Sequence, residues 1–185
     1  MQELWQLYDE QCRALSGRGA NKDEVFGKGL LHGASHVWIW RNAKSGVEIL
    51  LQKRATNKRT WPNHFDISAA GHIDLGETPL TAAIRETKEE IGIDVVESKL
   101  KLISVQRAFM VANNNAIENE YQWLYLLDLP EDTDFIMQEK EVTSVEWKPL
   151  ETFKSETRNN NDLYVPHGCL YFDTVIAAIE FELAL

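Results

Sequence analysis

The sequence predicts an α+β sandwich built as one domain. Several segments rich in β-branched and aromatic residues are bounded by turn-forming residues, and only two stretches show the apolar spacing of a helix. Strands and helices thus mix without the regular βαβ alternation of a parallel sheet. The 185 residues are 44% hydrophobic, which suffices for a packed core, and no repeat or low-complexity linker divides them. We therefore treat residues 1–185 as a single domain.

The first 30 residues are expected to form an N-terminal extension that begins with a hairpin. Residues 3–17 fit either a hairpin or one short helix, and we favour the hairpin. Five further strands are predicted, and Trp38 and Trp40 would share one face of the first of them. The predicted strands cover residues 35–40, 47–52, 100–111, 121–129 and 142–147. The turn at 42–46 makes the first two of these strands antiparallel partners.

Two helices are predicted, one after residue 78 and one over about residues 170–183. In the first, Thr78 can cap the N-terminus, Pro79 occupies the first helical position, and Gly92 ends the helix in a left-handed conformation. The second carries an apolar stripe at helical spacing, made of Phe172, Val175, Ile176, Ile179 and Leu183.

Charge and cysteine content argue against several classes of protein. A formal net charge of −10 repels nucleic acid polymers and membrane surfaces, so a phosphorylated substrate would need a basic patch or a bound metal ion. No segment is apolar enough for a membrane helix, and the first twenty residues lack the core of a signal peptide. Cys12 and Cys169 have neither metal-site nor disulfide spacing. We expect a soluble cytoplasmic protein with reduced thiols; the oligomeric state is not predicted.

The first helix carries three carboxylates within one turn. At about 100° per residue, Glu86, Glu89 and Glu90 lie within about 100° of one another. They fall on a different side from the apolar stripe, which consists of Leu80, Ile84, Thr87 and Ile91. Like charges at this spacing destabilise a helix, and clustered carboxylate oxygens suit Mg²⁺ or Mn²⁺. Arg85 can reach Glu89 at i+4 and orient its carboxylate. The alternative to a metal site is an acidic helix face that is simply exposed to solvent.

The spacing beyond the helix favours the metal site. Residues 71–93 resemble the Nudix box, G-x5-E-x7-R-E-U-x-E-E-x-G-U with U aliphatic, and all seven fixed identities match. Outside the helix carboxylates, the matching positions are Gly71, Glu77, Arg85 and Gly92. Thr87 replaces an aliphatic residue, and its hydroxyl can donate to the carbonyl of Ala83.

The resemblance implies an α/β/α sandwich with a mixed β-sheet between helices and hydrolysis of a diphosphate linkage by water attack at phosphorus. It implies that Glu86, Glu89 and Glu90 bind Mg²⁺ or Mn²⁺, while Glu77 and Arg85 orient the loop and the helix. The water's proton must also be accepted. Glu120 is the first candidate for a further ligand or for the general base, and Glu86 is the second. An exposed loop acid is the alternative for Glu120.

A closer resemblance, from about residue 32 to 179, is to the isopentenyl-diphosphate isomerase branch and its hydrolase-like relatives. It rests on residues 53–62, 70–72 and 118–120. It implies that Arg54 and Lys58 bind the diphosphate. It also implies a set of residues around the metal, namely His32, His72, Glu118 and Glu120. His72 could reach either metal or phosphate. A solvated basic loop at 53, 54, 58 and 59, and a structural His32 or His36, are the alternatives.

One position argues against isomerase activity. Isomerisation needs a proton-transferring pair, and the isomerase cysteine before the Gly-His step is here Ala70, which has no proton to transfer. We predict a Mg²⁺-dependent hydrolase of a small phosphorylated molecule. A diphosphate-sensing domain without activity is the other alternative. Four aromatic residues could stack on a base or belong to the core, namely Trp61, Phe65, Tyr121 and Trp123. Residues 159–167 could close over a pocket or simply connect elements.

Overall fold

The computed structural model describes residues 3–58, 60–111, 116–138, 140–159 and 162–185. Its nine strands are β1 (Trp5–Tyr8), β2 (Ala14–Ala20), β3 (His32–Ala43), β4 (Gly46–Arg54), β5 (Phe65–Asp66), β6 (Ala69–His72), β7 (Lys101–Val111), β8 (Ile117–Asp128) and β9 (Val142–Pro149). Its four α-helices are α1 (Lys22–Lys28), α2 (Pro79–Ile91), α3 (Leu150–Arg158) and α4 (Cys169–Leu183). Arg59, Asn160 and Asn161, which the sequence placed in loops, lie outside the described residues.

The central sheet is mixed. β3 and β8 run parallel from His32↔Glu120 to Trp40↔Asp128, whereas β4, β6, β7 and β9 are each paired antiparallel to a neighbour. The parallel register sets the start of β8 beside the start of β3. Polar residues at the beginnings of β3 and β8 therefore lie at the same end of the sheet.

Side-chain alternation along the central strands separates two cores. Val37 and Ile39 of β3 pack toward α2, and Trp38 and Trp40 pack toward α3 and α4. A strand with apolar residues on both faces must be covered on both sides, so the sheet lies between helical layers. The predicted α/β/α sandwich and the shared face of Trp38 and Trp40 are confirmed.

The box helix is α2, and it begins and ends as the sequence predicts. Thr78 caps it, Pro79 is its first residue, and Gly92 has φ 77° and donates back to the helix. The Thr87 hydroxyl donates to the Ala83 carbonyl at 2.7 Å, which satisfies this hydroxyl in the core. The apolar stripe differs in part, because Ala82 and Ala83 are fully buried while Leu80 and Ile84 are only half-buried.

The N-terminal hairpin is confirmed, and it is fastened to the segment that follows β6. β1 and β2 are antiparallel, and Trp5 forms an isolated bridge with Asp74. Backbone hydrogen bonds join Gln6 N to Ile73 O at 2.8 Å and Leu75 N to Leu4 O at 2.8 Å. Helices α1 and α3 were not predicted. No described helix has the length and apolar character needed to cross a bilayer.

Candidate active site

A cleft of about 530 Å³ opens where the starts of β3 and β8, the segment β5–β6 and the box helix meet. It also receives side chains from the N-terminal hairpin, α1 and the segment before α4. The ionisable residues of its lining include Arg54, Lys58, His72, Arg85, Glu86, Glu89, Glu118, Glu120 and His167. The structure therefore brings together most of the site residues that the sequence predicts, from four separate parts of the chain.

Arg85 organises the box. Its guanidinium donates to both oxygens of Glu77 at 3.1 and 2.9 Å and to the His72 carbonyl at 3.0 Å. It also donates to Glu86 Oε1 at 2.6 Å and to Glu89 Oε2 at 3.2 Å, as the i+4 spacing predicted for Glu89. Burial opposes the charge, but Glu77 and Glu86 raise the pKa of Arg85 above its ordinary value. The guanidinium thus fixes the loop to the helix.

The three helix carboxylates differ in burial, and their oxygens do not all lie within 4.8 Å of one another. Glu89 is exposed at the rim of the cleft, and Glu86 is half-buried beside Gly71. Glu90 is only 3% exposed, and its Oε2 accepts from Ala70 N at 2.9 Å and from Gln52 Nε2 at 3.1 Å. Helical angles alone could not show that β4 and β6 cover this flank of α2.

Burial shifts the protonation of two of these carboxylates. It raises the pKa of Glu86 to about 7, although Arg85 opposes the shift. It raises the pKa of Glu90 to about 8, against the hydrogen bond from Ala70. Charged carboxylates in such surroundings are stabilised by a nearby cation.

A second cluster joins two imidazoles to a carboxylate. Ligand atoms of His32, His72 and Glu120 lie within 4.8 Å of one another, the only such group of three among the described His, Cys, Asp and Glu residues. Nε2 of His32 is 3.3 Å and Nε2 of His72 is 3.9 Å from Glu120 Oε2. His32 Nε2 is buried and makes no hydrogen bond within the described part of the chain.

The electrostatics of this cluster suit metal binding. Burial, reinforced by His32, lowers the pKa of His72 well below 6.5, so its imidazole is neutral near pH 7. Burial opposes ionisation of Glu120, but the adjacent His32 brings the pKa of Glu120 below its usual range. Metal ligands must be neutral imidazoles and ionised carboxylates. An orphaned buried nitrogen facing a carboxylate is therefore a fitting place for a divalent cation.

Trp5 covers this cluster. Its ring lies parallel to that of His72, with the centroids 3.5 Å apart and the planes at 9°, and it also stacks on His32 at 5.6 Å. Phe26 of α1 meets both imidazoles edge-on. Sequence reasoning missed this wall, because nothing in residues 1–30 marks them as neighbours of the box.

The basic residues assigned to the diphosphate line the cleft but already have acidic partners. Arg54 donates to Asp66 Oδ2 at 2.7 Å and to the Thr60 carbonyl, and Lys58 pairs with Glu141 at 2.6 Å. Burial raises the pKa of Glu118, which also faces the cleft, to about 7.

Sequence reasoning also missed a polar pair at the far end of the cleft. Nε2 of His167 lies 2.9 Å from Oδ1 of buried Asp66. The segment 162–167, expected to be a lid or a connector, docks on β5. Among the four aromatic candidates, Trp61 lines the cleft, Phe65 is half-buried against the core, and Tyr121 and Trp123 are buried core residues.

Comparison with known proteins identifies the family. The profile of the NUDIX domain matches residues 30–167. An uncharacterized Nudix hydrolase of Clostridium acetobutylicum is 31% identical over 205 residues, covering 96% of this chain and 97% of that protein. Nudix hydrolase 3 of Arabidopsis thaliana is 33% identical over 156 residues, covering 82% of this chain but only 20% of the plant protein. The chain thus spans one fifth of that relative.

The chain is also similar to isomerases and to a protein of known structure. An isopentenyl-diphosphate Delta-isomerase of Aliivibrio fischeri is 30% identical over 177 residues, covering 95% of this chain and 93% of that enzyme. The crystal structure of DR0079 from Deinococcus radiodurans superposes with a TM-score of 0.63 at 18% identity, covering 89% of this chain and 94% of that one. The latter likeness shows the fold alone.

Proposed function

The chain belongs to the Nudix family and is a pyrophosphohydrolase, and on that premise we propose that it hydrolyses a diphosphate linkage in a small phosphorylated molecule with Mg²⁺ or Mn²⁺ bound in the cleft. The observation that carries the proposal is that Glu86, His72 and Glu120 line one cleft, while buried His32 offers a further ligand atom within 4.8 Å of those of His72 and Glu120. A nucleoside diphosphate linked to another group, or a small diphosphorylated metabolite, is the proposed substrate class.

The donor atoms support a divalent cation. Glu86, Glu89 and Glu90 would supply carboxylate oxygens, and the second cluster would supply two imidazoles and Glu120. Carboxylates favour Mg²⁺ or Mn²⁺, whereas the two imidazoles also make the second cluster suitable for a transition-metal ion such as Zn²⁺. When bound, such a cation would neutralise phosphoryl oxygens and make the attacking water more acidic.

The protein's own residues would orient the substrate. Lys58 and Arg54 lie on the same wall as Trp61, and a diphosphate would compete with Glu141 and Asp66 for their N–H groups. Arg85 would keep Glu86 facing the cleft through their 2.6 Å hydrogen bond. Positioning of this kind contributes to rate because a small displacement of a catalytic group is costly.

Isomerase activity is not proposed. Ala70 lines the cleft beside Gly71 and carries no proton-transferring group, despite the similarity to isomerases. A silent sensor is disfavoured because all seven fixed residues of the box are present.

The test is a hydrolysis panel in water enriched in oxygen-18. Nucleotide sugars, dinucleoside polyphosphates, nucleoside diphosphates and isopentenyl diphosphate are incubated with the enzyme and Mg²⁺, Mn²⁺ or EDTA. We expect metal-dependent cleavage of at least one compound, with the label in a phosphate product. Cleavage that persists in EDTA, or no cleavage across the panel despite bound metal, would overturn the proposal. Conversion of isopentenyl diphosphate to its isomer would favour the alternative.

A further inference from the structure

The pair formed by His167 and Asp66 has the hydrogen-bonding arrangement of a general base and its positioning residue. The two residues are 101 positions apart and meet because the segment before α4 docks on β5. Val165 N donates to Phe65 O at 2.9 Å, and Phe65 N donates to Leu163 O at 2.7 Å. This backbone pairing brings His167 into the same cleft as Glu86 and Glu120.

Asp66 fixes which nitrogen of the imidazole carries hydrogen. Its Oδ1 also accepts from Ile67 N at 2.9 Å, and its Oδ2 accepts from Arg54 Nη1 at 2.7 Å. Although burial opposes ionisation, His167 and Arg54 hold the pKa of Asp66 below its usual range, so Asp66 is a carboxylate. A carboxylate only accepts hydrogen bonds, so Nε2 of His167 must be the donor. The lone pair of the neutral ring then lies on Nδ1.

The ring is also held in place by its neighbours. It stacks on Tyr171 of α4 at 4.6 Å and 21°, and it meets His36 of β3 at 5.8 Å and 66°. The charged or titratable groups that face it from the surrounding elements are Asp66 (β5), Arg54 (β4), His36 (β3), Glu118 (β8) and Tyr171 (α4). A fixed ring with a buried anion on one side can take up a proton without reorienting.

The carboxylates suggested for the base role are already engaged. Oε1 of Glu86 accepts from Arg85 at 2.6 Å. Oε1 of Glu120 accepts from Gln122 at 2.8 Å, and its Oε2 faces the two histidines of the metal cluster. By contrast, Nδ1 of His167 makes no hydrogen bond to any residue that the structure describes.

We propose that His167 is the general base of this enzyme and that Asp66 positions it. The proposal rests on the proposed hydrolysis. In the step, the oxygen of water forms a bond to phosphorus while one of its protons moves to Nδ1 of His167. The bond from phosphorus to the leaving oxygen breaks, and the leaving group keeps the electron pair. Asp66 balances the charge of the imidazolium until the proton passes to solvent.

The first test needs no substrate. Nitrogen-15 NMR of histidine-labelled protein reports which ring nitrogen carries hydrogen, and His167→Gln assigns the signal. We expect the neutral ring of His167 to carry its hydrogen on Nε2, and Asp66→Asn to change that tautomer. A wild-type ring with its hydrogen on Nδ1 would overturn the proposal.

The second test is chemical rescue with a panel compound that the wild type cleaves. His167→Ala should lower kcat by about 10²- to 10⁴-fold with a small change in KM, and added imidazole should restore part of the rate. His64→Ala is the matched control, because His64 lies outside the cleft lining and its Nδ1 is hydrogen-bonded to the Pro62 carbonyl. This control should keep the wild-type rate and show no rescue.

The outcomes separate the two proposals. If His167→Ala stays active and metal-dependent, or gains nothing from imidazole, His167 is not the base and the hydrolase proposal stands. If instead Glu118→Gln loses the rate and responds to added formate, Glu118 is the base. If EDTA has no effect or the wild type cleaves nothing, the proposed function is wrong, and so is the proposed catalytic role of His167. The NMR result then still decides the arrangement of the pair.

Discussion

A β-carbon at position 71 would lie 2.0 Å from Oε1 of Glu86, so the two residues share this corner of the cleft only because Gly71 has no side chain. The missing side chain leaves space for the carboxylate of Glu86, which also accepts a hydrogen bond from Arg85. The glycine that opens the box therefore determines where the carboxylate of Glu86 can lie.

Gly71→Ala is expected to reduce kcat by at least about 10²-fold, because Glu86 must move out of its position. The free energy of unfolding should fall by only about 1–3 kcal/mol, since a side chain can yield in place of the backbone. Steady-state kinetics and urea unfolding measure the two effects. Gly27→Ala is the control, since a β-carbon there meets nothing within 4 Å. An alanine variant at 71 with the wild-type rate would contradict this account of the glycine.

Glu90→Gln is expected to lower turnover by several orders of magnitude while the fold stays intact. A glutamine oxygen can still accept from Ala70 N, but it is a poor ligand for a hard divalent cation. Turnover at saturating substrate tests the expected loss of rate, and a thermal unfolding curve tests whether the fold stays intact. Glu97→Gln, in an exposed turn, serves as the comparison. If Glu90→Gln retains most of the wild-type rate, Glu90 is not a metal ligand.

Much of the box could be predicted because its signals are local. Thr78, Pro79 and Gly92 mark the ends of α2, and the Thr87 hydroxyl finds a carbonyl one turn earlier. The direction of Glu90 could not be predicted, because it depends on β4 and β6 covering that side of the helix.

The residues that sequence reasoning missed depend on contacts between distant segments. Asp66 and His167 meet only after the segment before α4 pairs with β5. Trp5 reaches His72 only because β1 pairs with the segment that follows β6. Neither contact leaves a spacing signal in one sequence. Helix α3 was missed as well, and its N-cap residue, Pro149, has no side-chain group that could cap the helix.

Arg54→Ala is expected to raise KM more than it lowers kcat, because we place Arg54 on a substrate phosphate. It should also destabilise the fold by about 2–3 kcal/mol, since it leaves buried Asp66 without its guanidinium partner. Kinetics well below the melting temperature and urea unfolding separate these effects. An unchanged KM would make Arg54 a purely structural partner of Asp66.

Lys58→Ala separates phosphate binding from stability. The pair that Lys58 makes with Glu141 is partly solvent-exposed, so its loss should cost less than about 1 kcal/mol. We expect KM to rise about tenfold, as for the loss of one charged phosphate contact. Lys99→Ala, in an exposed turn away from the cleft, is the matched control. Equal KM values for the two variants would show that Lys58 does not bind the substrate and belongs to a solvated basic loop.

The thermal stability of the metal-free protein is expected to fall as pH rises through about 7 to 8. The folded-state pKa values of Glu86 and Glu90, about 7 and about 8, exceed the ordinary 4.5. Their stabilising contribution is therefore full below pH 4.5 and is lost as pH rises through the folded values. Glu118, with a pKa raised to about 7, adds to this fall. Mg²⁺ should raise the melting temperature more at pH 8.5 than at pH 6.

Scanning fluorimetry in EDTA and in Mg²⁺ measures this dependence. Glu90→Gln should flatten the decline between pH 6 and pH 8.5, because the group that loses its proton is gone. Asp66 and Glu120 do not interfere, since their lowered pKa values place their contributions in the acidic range. An equal decline in the variant and the wild type would mean that Glu90 is not the titrating group.

The stacking of Trp5 on His72 bears on how this protein should be shortened for study. A fragment that starts at residue 30, where the family match begins, and keeps the rest of the chain would retain every glutamate of the box and both imidazoles of the second cluster. It would nevertheless expose one flat side of His72 to solvent, where water could compete for the ring nitrogen. Weak ion binding by such a truncated piece would then reflect the missing indole lid and would say little about the intact enzyme.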